Sequence, residues 1–148
     1  MRPRLVYFDE HEFVRGGVAW FPLMDERMLV LLDVLRHRVE KPFIISNSKD
    51  ALGRHAGDSQ SWHNIDKHGA VFAVDGYFEG VTTLDQTLHV VDKATAIGMT
   101  GIGVYRDWQQ APFGFHFDAR TDHRPGYPAT WGRVDSQYTA IANALNFA

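Results

Sequence analysis

The sequence predicts an α+β domain, a small and mostly antiparallel sheet packed against helices, with a polar site on the open sheet face. Three observations carry this prediction. Residues 25–40 and 82–98 show helical apolar spacing with recognisable start and stop residues. Short apolar or alternating runs at 43–46, 70–78, 101–106 and 113–119 read as strands. In the last of these, alternation separates two phenylalanines from a histidine and an aspartate.

Taken in order, residues 4–8 predict a short strand or an extended arm, and Asp9–Phe13 a helical turn broken by Gly16-Gly17. The first long helix begins at Asp25, carries acids in its first turn and a mostly helical apolar stripe through Leu29, Leu32, Val34, Leu35 and Val39, and stops at Lys41-Pro42. A buried strand at 43–46 follows, then a long polar loop over 47–62. Loops of that length inside a domain are uncommon and often functional. After the strand at 70–78, Thr82 or Thr83 caps a helix that ends at Gly98. The runs at 101–106 and 113–119 predict an antiparallel hairpin. Residues 121–135 read as a Pro/Gly-rich loop, and 137–145 as a short C-terminal helix.

Composition narrows the function classes. The 148 residues suffice for one domain with a core that needs no disulfides. A net charge of −3 without a basic stripe argues against nucleic-acid binding. The absence of cysteine removes thiolate metal sites and cysteine nucleophiles. No run approaches the roughly 18 apolar residues of a membrane span, and the N-terminus lacks the apolar core of a secretory signal.

Candidate chemistry concentrates in Ser61–Asp75 and Phe113–Arg120. In Phe115-His116-Phe117-Asp118 the phenylalanines point to one face and His116 and Asp118 to the other. In the strand at 70–78, Asp75 shares a face with Ala73, opposite Phe72 and Val74. An ionised carboxylate in the middle of a strand is costly unless a metal ion or a basic side chain offsets it. Trp62, Tyr77, Tyr105, Trp108 and Trp131 are candidates to line a groove or to pack the interior. His11, His37, His55, His89 and His123 have no matching partners. Gly101-Ile-Gly-Val-Tyr lies in a hairpin strand and is not a phosphate-binding turn.

Several of these segments occur in a characteristic order: Ser61-Trp-His63, Ala73-Val-Asp75, Gly101-Ile-Gly-Val-Tyr105 and Phe115-His-Phe-Asp-Ala-Arg120. Together they resemble peptidase M15, the zinc D-Ala-D-Ala carboxypeptidases and endopeptidases. Tyr7-Phe-Asp-Glu-His-Glu-Phe13, the Leu-rich helix and Lys41-Pro-Phe-Ile-Ile-Ser46 match the family's lead-in, so the resemblance spans roughly residues 7–132. The run His63-Asn-x-Asp-x-x-Gly-x-Val-x-Ala-x-Asp75 and the later Ala129-Thr-Trp-Gly132 are similar to a variant found in phage structural modules.

The resemblance implies that His63, Asp75 and His116 are zinc ligands, with a fourth position left for water. It also implies a peptidoglycan peptide as substrate, possible association with other phage structural proteins, and a location in the phage tail or, before assembly, the host cytoplasm. Three departures bear on mechanism. His68 has the family's usual seven-residue spacing to the aspartate, while His63 has the Ser-x-His flank; His63 is favoured. The family's general-base glutamate falls at Phe113, and Asp118 is its nearest substitute, as a base or as a group orienting His116. The arginine that holds the substrate carboxylate falls at Lys49, so Lys49 or Arg54 takes that part. The alternative function is a zinc-binding structural or cell-wall-binding module that has lost efficient catalysis.

Overall fold

The computed structural model describes residues 2–122 and 125–146. The first long helix, α1 (Glu26–Val39), starts where the sequence places it. The Asp25 carboxylate accepts the Met28 N–H at 2.9 Å, and Glu40 ends the helix in the left-handed conformation. Helix α3 (Leu84–Ala96) is opened by Thr83, which forms a capping box with Gln86. Gly98, with φ +96°, follows its end.

Two strands near the N-terminus, β1 (Val14–Arg15) and β2 (Val18–Ala19), form a small hairpin around Gly16-Gly17, where the sequence reading saw only a break. Residues 4–8 are an arm rather than a strand, and the Val6 and Tyr7 N–H groups donate to the Asp33 carboxylate on α1. The main sheet has six strands in the order β3 (Phe43–Ile45), β4 (Ala73–Phe78), β6 (Gly114–Asp118), β5 (Gly101–Tyr105), β7 (Ala129–Val134) and β8 (Gln137–Thr139). All neighbours are antiparallel except β5 and β7. The predicted hairpin of β5 and β6 is present, with Gly103 opposite His116. A one-turn helix, α2 (Ile65–His68), interrupts the approach to β4.

Two expectations near the C-terminus are corrected. Residues 121–135 are not all loop, because β7 occupies 129–134. The predicted helix over 137–145 is strand β8 followed by the shorter α4 (Ile141–Leu145). In Ala129-Thr-Trp-Gly-Arg-Val the two alternating sets, Ala/Trp/Arg and Thr/Gly/Val, are each mixed in polarity, and Pro125, Gly126 and Pro128 just before it dominate a local reading. Pairing with β5 supplies the backbone bonds that make it a strand.

The sheet separates core from site. Phe115 and Phe117, Ile102 and Val104, and Val74 and Phe78 join Leu29, Leu32 and Leu35 of α1 and Val90 and Ala94 of α3 in one buried cluster. The register puts the other side chains of these strands on the opposite face, in rows. One row runs Asp75, His116, Gly103, Trp131, and the next runs Ala73, Asp118, Gly101, Ala129. The two glycines of Gly101-Ile-Gly are explained by what crosses them. A Cβ on Gly101 would lie 2.1 Å from Asp118 Oδ1, and one on Gly103 would lie 2.6 Å from Trp131 Nε1. Their missing side chains let a carboxylate and an indole lie across the sheet. No helix among the described residues is long and apolar enough to cross a membrane.

Candidate metal centre

Asp75 and His116 face each other on β4 and β6, and His63 reaches them from the end of the loop before α2. Local bonds hold that loop end. Asn64 is fully buried; its side chain accepts from the Ala56 and Asp66 N–H groups and donates to the Gly57 and Ser59 carbonyls. Asp66 accepts from the Gly57 N–H and bonds His55, and Gly69, with φ +78°, closes the turn into β4. The run His63-Asn-x-Asp-x-x-Gly is thus one candidate ligand plus the bonds that fix its loop.

The three inward-facing atoms form a tight triangle. His63 Nε2 lies 3.2 Å from Asp75 Oδ1 and 3.3 Å from His116 Nδ1, and His116 Nδ1 lies 2.9 Å from Asp75 Oδ1. A tetrahedral ion with bonds of about 2.0–2.1 Å spaces its donors roughly 3.3 Å apart, so this triangle is close to the right size. His63, Asp75 and His116 could hold a metal ion.

The far nitrogens of both imidazoles are committed. His63 Nδ1–H donates to the Leu52 carbonyl, and His116 Nε2–H donates to Asp118 Oδ2 at 2.7 Å. In the neutral imidazoles both inward nitrogens are therefore lone-pair donors, the usual arrangement around a ligated histidine. Asp118 is 0 % exposed. Its oxygens also accept Arg120 Nε at 2.8 Å and Nη2 at 2.6 Å. Among its described partners it bonds the outer edge of His116 and the Arg120 guanidinium, so its placement suits orienting the imidazole. It does not line the cavity in front of the triangle.

That cavity, about 660 Å³, is walled by Trp62, Tyr105, Trp131, Arg54, Arg120 and Arg133 among others. Of the expected site residues, Arg54 lines it and Lys49 does not; Lys49 is exposed on the loop. Phe113 is buried beneath the Arg106 guanidinium, 4.4 Å from its ring centre. His68 stacks on Trp62 with ring centres 3.8 Å apart and bonds the Gln60 carbonyl, away from the triangle. Trp62, Tyr105 and Trp131 are wall residues, whereas Tyr77 and Trp108 are not. The sequence reading missed Arg120, Arg133 and Tyr138. Arg120 had a signal, since it continues the alternation of His116 and Asp118 by two residues. Arg133 and Tyr138 lay in strands read as loop and helix. Among the described residues, Asp75 is the single carboxylate on the cavity wall.

Electrostatics bind the cluster together. Burial alone would lower the His116 pKa, but its bonds to Asp118 and Asp75 override burial and raise it from 6.5 to about 9. Burial alone would raise both carboxyls. The charge of His63 and the bonds from His116 and His63 instead hold Asp75 well below its ordinary 3.8, and the bonds from Arg120 and His116 do the same for Asp118. Burial and the Asp75 charge push the Tyr105 phenol far up, so it stays protonated.

A pH dependence follows. Protonated His116 favours the folded state fully below pH 6.5, and that contribution is lost as pH rises through about 9. The two carboxylates contribute above 3.8 and lose their effect as pH falls further. Metal-free protein is expected to melt highest between these limits and to lose thermal stability from pH 6.5 to 9.5. A bound ion displaces the His116 proton, so the melting-temperature gain on adding zinc should grow over the same range. Thermal melts in chelator and in zinc at several pH values check both trends.

No protein-family model, curated protein or solved structure matches this chain.

Proposed function

We propose that this protein is a zinc-dependent peptidase acting on peptidoglycan stem peptides or their crosslinks. The observation that carries the reading is the triangle of His63 Nε2, Asp75 Oδ1 and His116 Nδ1 at the floor of an open cavity. Two imidazoles and one carboxylate with room for a fourth ligand are the donor set of a catalytic rather than a structural zinc site. The ordered motifs that resemble peptidase M15 support the substrate class and a phage-associated setting, in the tail or at lysis.

When bound, zinc supplies a Lewis acid that activates water and polarises a peptide carbonyl. The chain's own residues do the rest. Leu52 and Asp118 hold the two imidazoles in the right tautomer. Arg120 keeps Asp118 ionised and lies against Trp131, 5.1 Å from its ring centre. Trp62 and Trp131 give the otherwise polar cavity two aromatic surfaces. Arg54 has no ion-pair partner among the described residues and suits a substrate carboxylate.

One observation favours a second reading, a zinc-binding cell-wall module with weak or no catalysis. No carboxylate other than Asp75 lines the cavity among the described residues, so no dedicated general base stands beside the triangle. Digestion of purified peptidoglycan separates the two. Zinc-loaded protein should release new muropeptides, and Asp75→Ala should not. Unchanged muropeptide profiles alongside retention on the cell wall would establish the binding module.

A further inference from the structure

The cavity contains a hydrogen-bond donor with no partner of its own. Tyr105 is 6 % exposed and lines the same cavity as His63, Asp75 and His116. Its hydroxyl oxygen accepts Trp131 Nε1–H at 3.3 Å. No described residue accepts the phenol proton. A buried hydroxyl with its acceptor side filled and its donor side free is unusual, because buried polar hydrogens are normally paired.

Its neighbours fix where that proton is offered. Tyr105 follows Gly103 by two positions on β5, and Gly103 faces His116 in the sheet register. Trp131, which bonds the phenol, also packs on His116 with ring centres 4.9 Å apart. The bare Gly103 lets the indole lie between the two. From the other side, Arg133 covers the Tyr105 ring, its guanidinium carbon 4.5 Å from the ring centre, and Asp107 holds Arg133 through Nε. The phenol is thus held by Trp131 at its hydroxyl and by Arg133 over its ring, in the wall of the cavity that His63, Asp75 and His116 also line. Of the three arginines on the cavity wall, Arg54 is the one proposed for the substrate carboxylate, and the other two are held by carboxylates. Arg120 uses Nε and Nη2 on Asp118, and Arg133 uses Nε on Asp107.

We infer that Tyr105 is a catalytic residue that donates a hydrogen bond to the substrate's carbonyl oxygen as it gains negative charge. The inference rests on the peptidase reading above and adds the oxyanion donor. In the reaction, water oxygen bonds to the carbonyl carbon and the π pair moves onto the carbonyl oxygen, where Tyr105 donates. The pair then returns, the C–N bond breaks, and the amine leaves with a proton that came from water. Tyr105 keeps its own proton throughout. A neutral donor already held in place favours the charged tetrahedral species over the ground-state amide.

The test uses full-length, zinc-loaded protein and Tyr105→Phe, which keeps the ring and removes only the hydroxyl. Zinc stoichiometry and melting temperature should match wild type. Two probes are titrated by calorimetry: N-acetyl-alanyl-alanine, and its phosphinic analogue, in which a tetrahedral phosphorus replaces the scissile carbonyl carbon. Tyr105→Phe should bind the peptide within about twofold of wild type but lose about tenfold or more for the phosphinate. On digested peptidoglycan peptides it should lower kcat by roughly 100-fold with little change in KM. If wild type binds the phosphinate and hydrolyses peptides while Tyr105→Phe is unaffected, the role of Tyr105 is overturned and the peptidase reading stands. If zinc-loaded wild type neither binds the phosphinate nor hydrolyses peptides, the peptidase reading falls and the oxyanion role falls with it.

Discussion

Asp75→Ala should reduce bound zinc from about one ion per chain to a trace. It removes the one anionic donor of the triangle and leaves two imidazole nitrogens 3.3 Å apart with nothing to neutralise the ion. The effect should also appear in stability. An ion present at a hundredfold excess over its Kd stabilises a protein by about 2.7 kcal/mol. In a chain of this size that corresponds to roughly 5–10 °C in melting temperature. Wild type should show such a gain on adding zinc, and Asp75→Ala should show none. His68→Ala is the control. His68 stacks on Trp62 outside the triangle, so its removal should leave zinc content unchanged. Elemental analysis and thermal melts decide the matter. Zinc retained by Asp75→Ala but lost from His68→Ala would mean that the ligand set is misassigned.

Asp118→Asn is the second substitution with a large expected effect. The carboxylate is inaccessible to solvent, and its oxygens serve His116 Nε2 and Arg120 Nε and Nη2 together. The amide keeps the shape but offers one acceptor oxygen in place of two and aims an NH2 group at donors. Breaking a buried ion pair costs about 3–5 kcal/mol. Arg120 retains some access to solvent, so a loss of about 2–3 kcal/mol is expected here. Losing the acceptor behind a ligand imidazole weakens metal binding by about 10–100-fold. Urea unfolding in chelator measures the first effect, and competition with a chromogenic zinc chelator the second. A variant that is destabilised yet binds zinc as tightly as wild type would show that Asp118 serves the fold alone.

The two substitutions separate what the sequence made legible from what it did not. Asp75 could be picked out from the chain because a carboxylate between Val74 and Gly76 in an apolar strand needs a partner. His116 could be paired with Asp118 because strand alternation has a fixed period of two. The long helices were equally plain: Asp25, Thr83 and Gly98 mark their ends by local chemistry. Where local signals conflicted, the reading failed. Gly126 and Pro128 hid the strand at 129–134, and the helix expected over 137–145 begins only at Ile141, because pairing with β7 makes 137–139 a strand.

By itself the sequence determined the α+β class, the boundaries of the two long helices and which residues share a face in the strands it identified, because propensity, capping and alternation act over a few neighbouring residues. Tertiary structure alone decided the rest. Loop bonds through Asn64 place His63, which the sequence already favoured over His68, beside Asp75. Strand order brought Trp131 over Gly103 and Asp118 over Gly101, and put Tyr105 and Arg133 in the cavity wall. These contacts join residues far apart in the chain, and their geometry depends on sheet register and on space left by absent side chains. No local pattern encodes either.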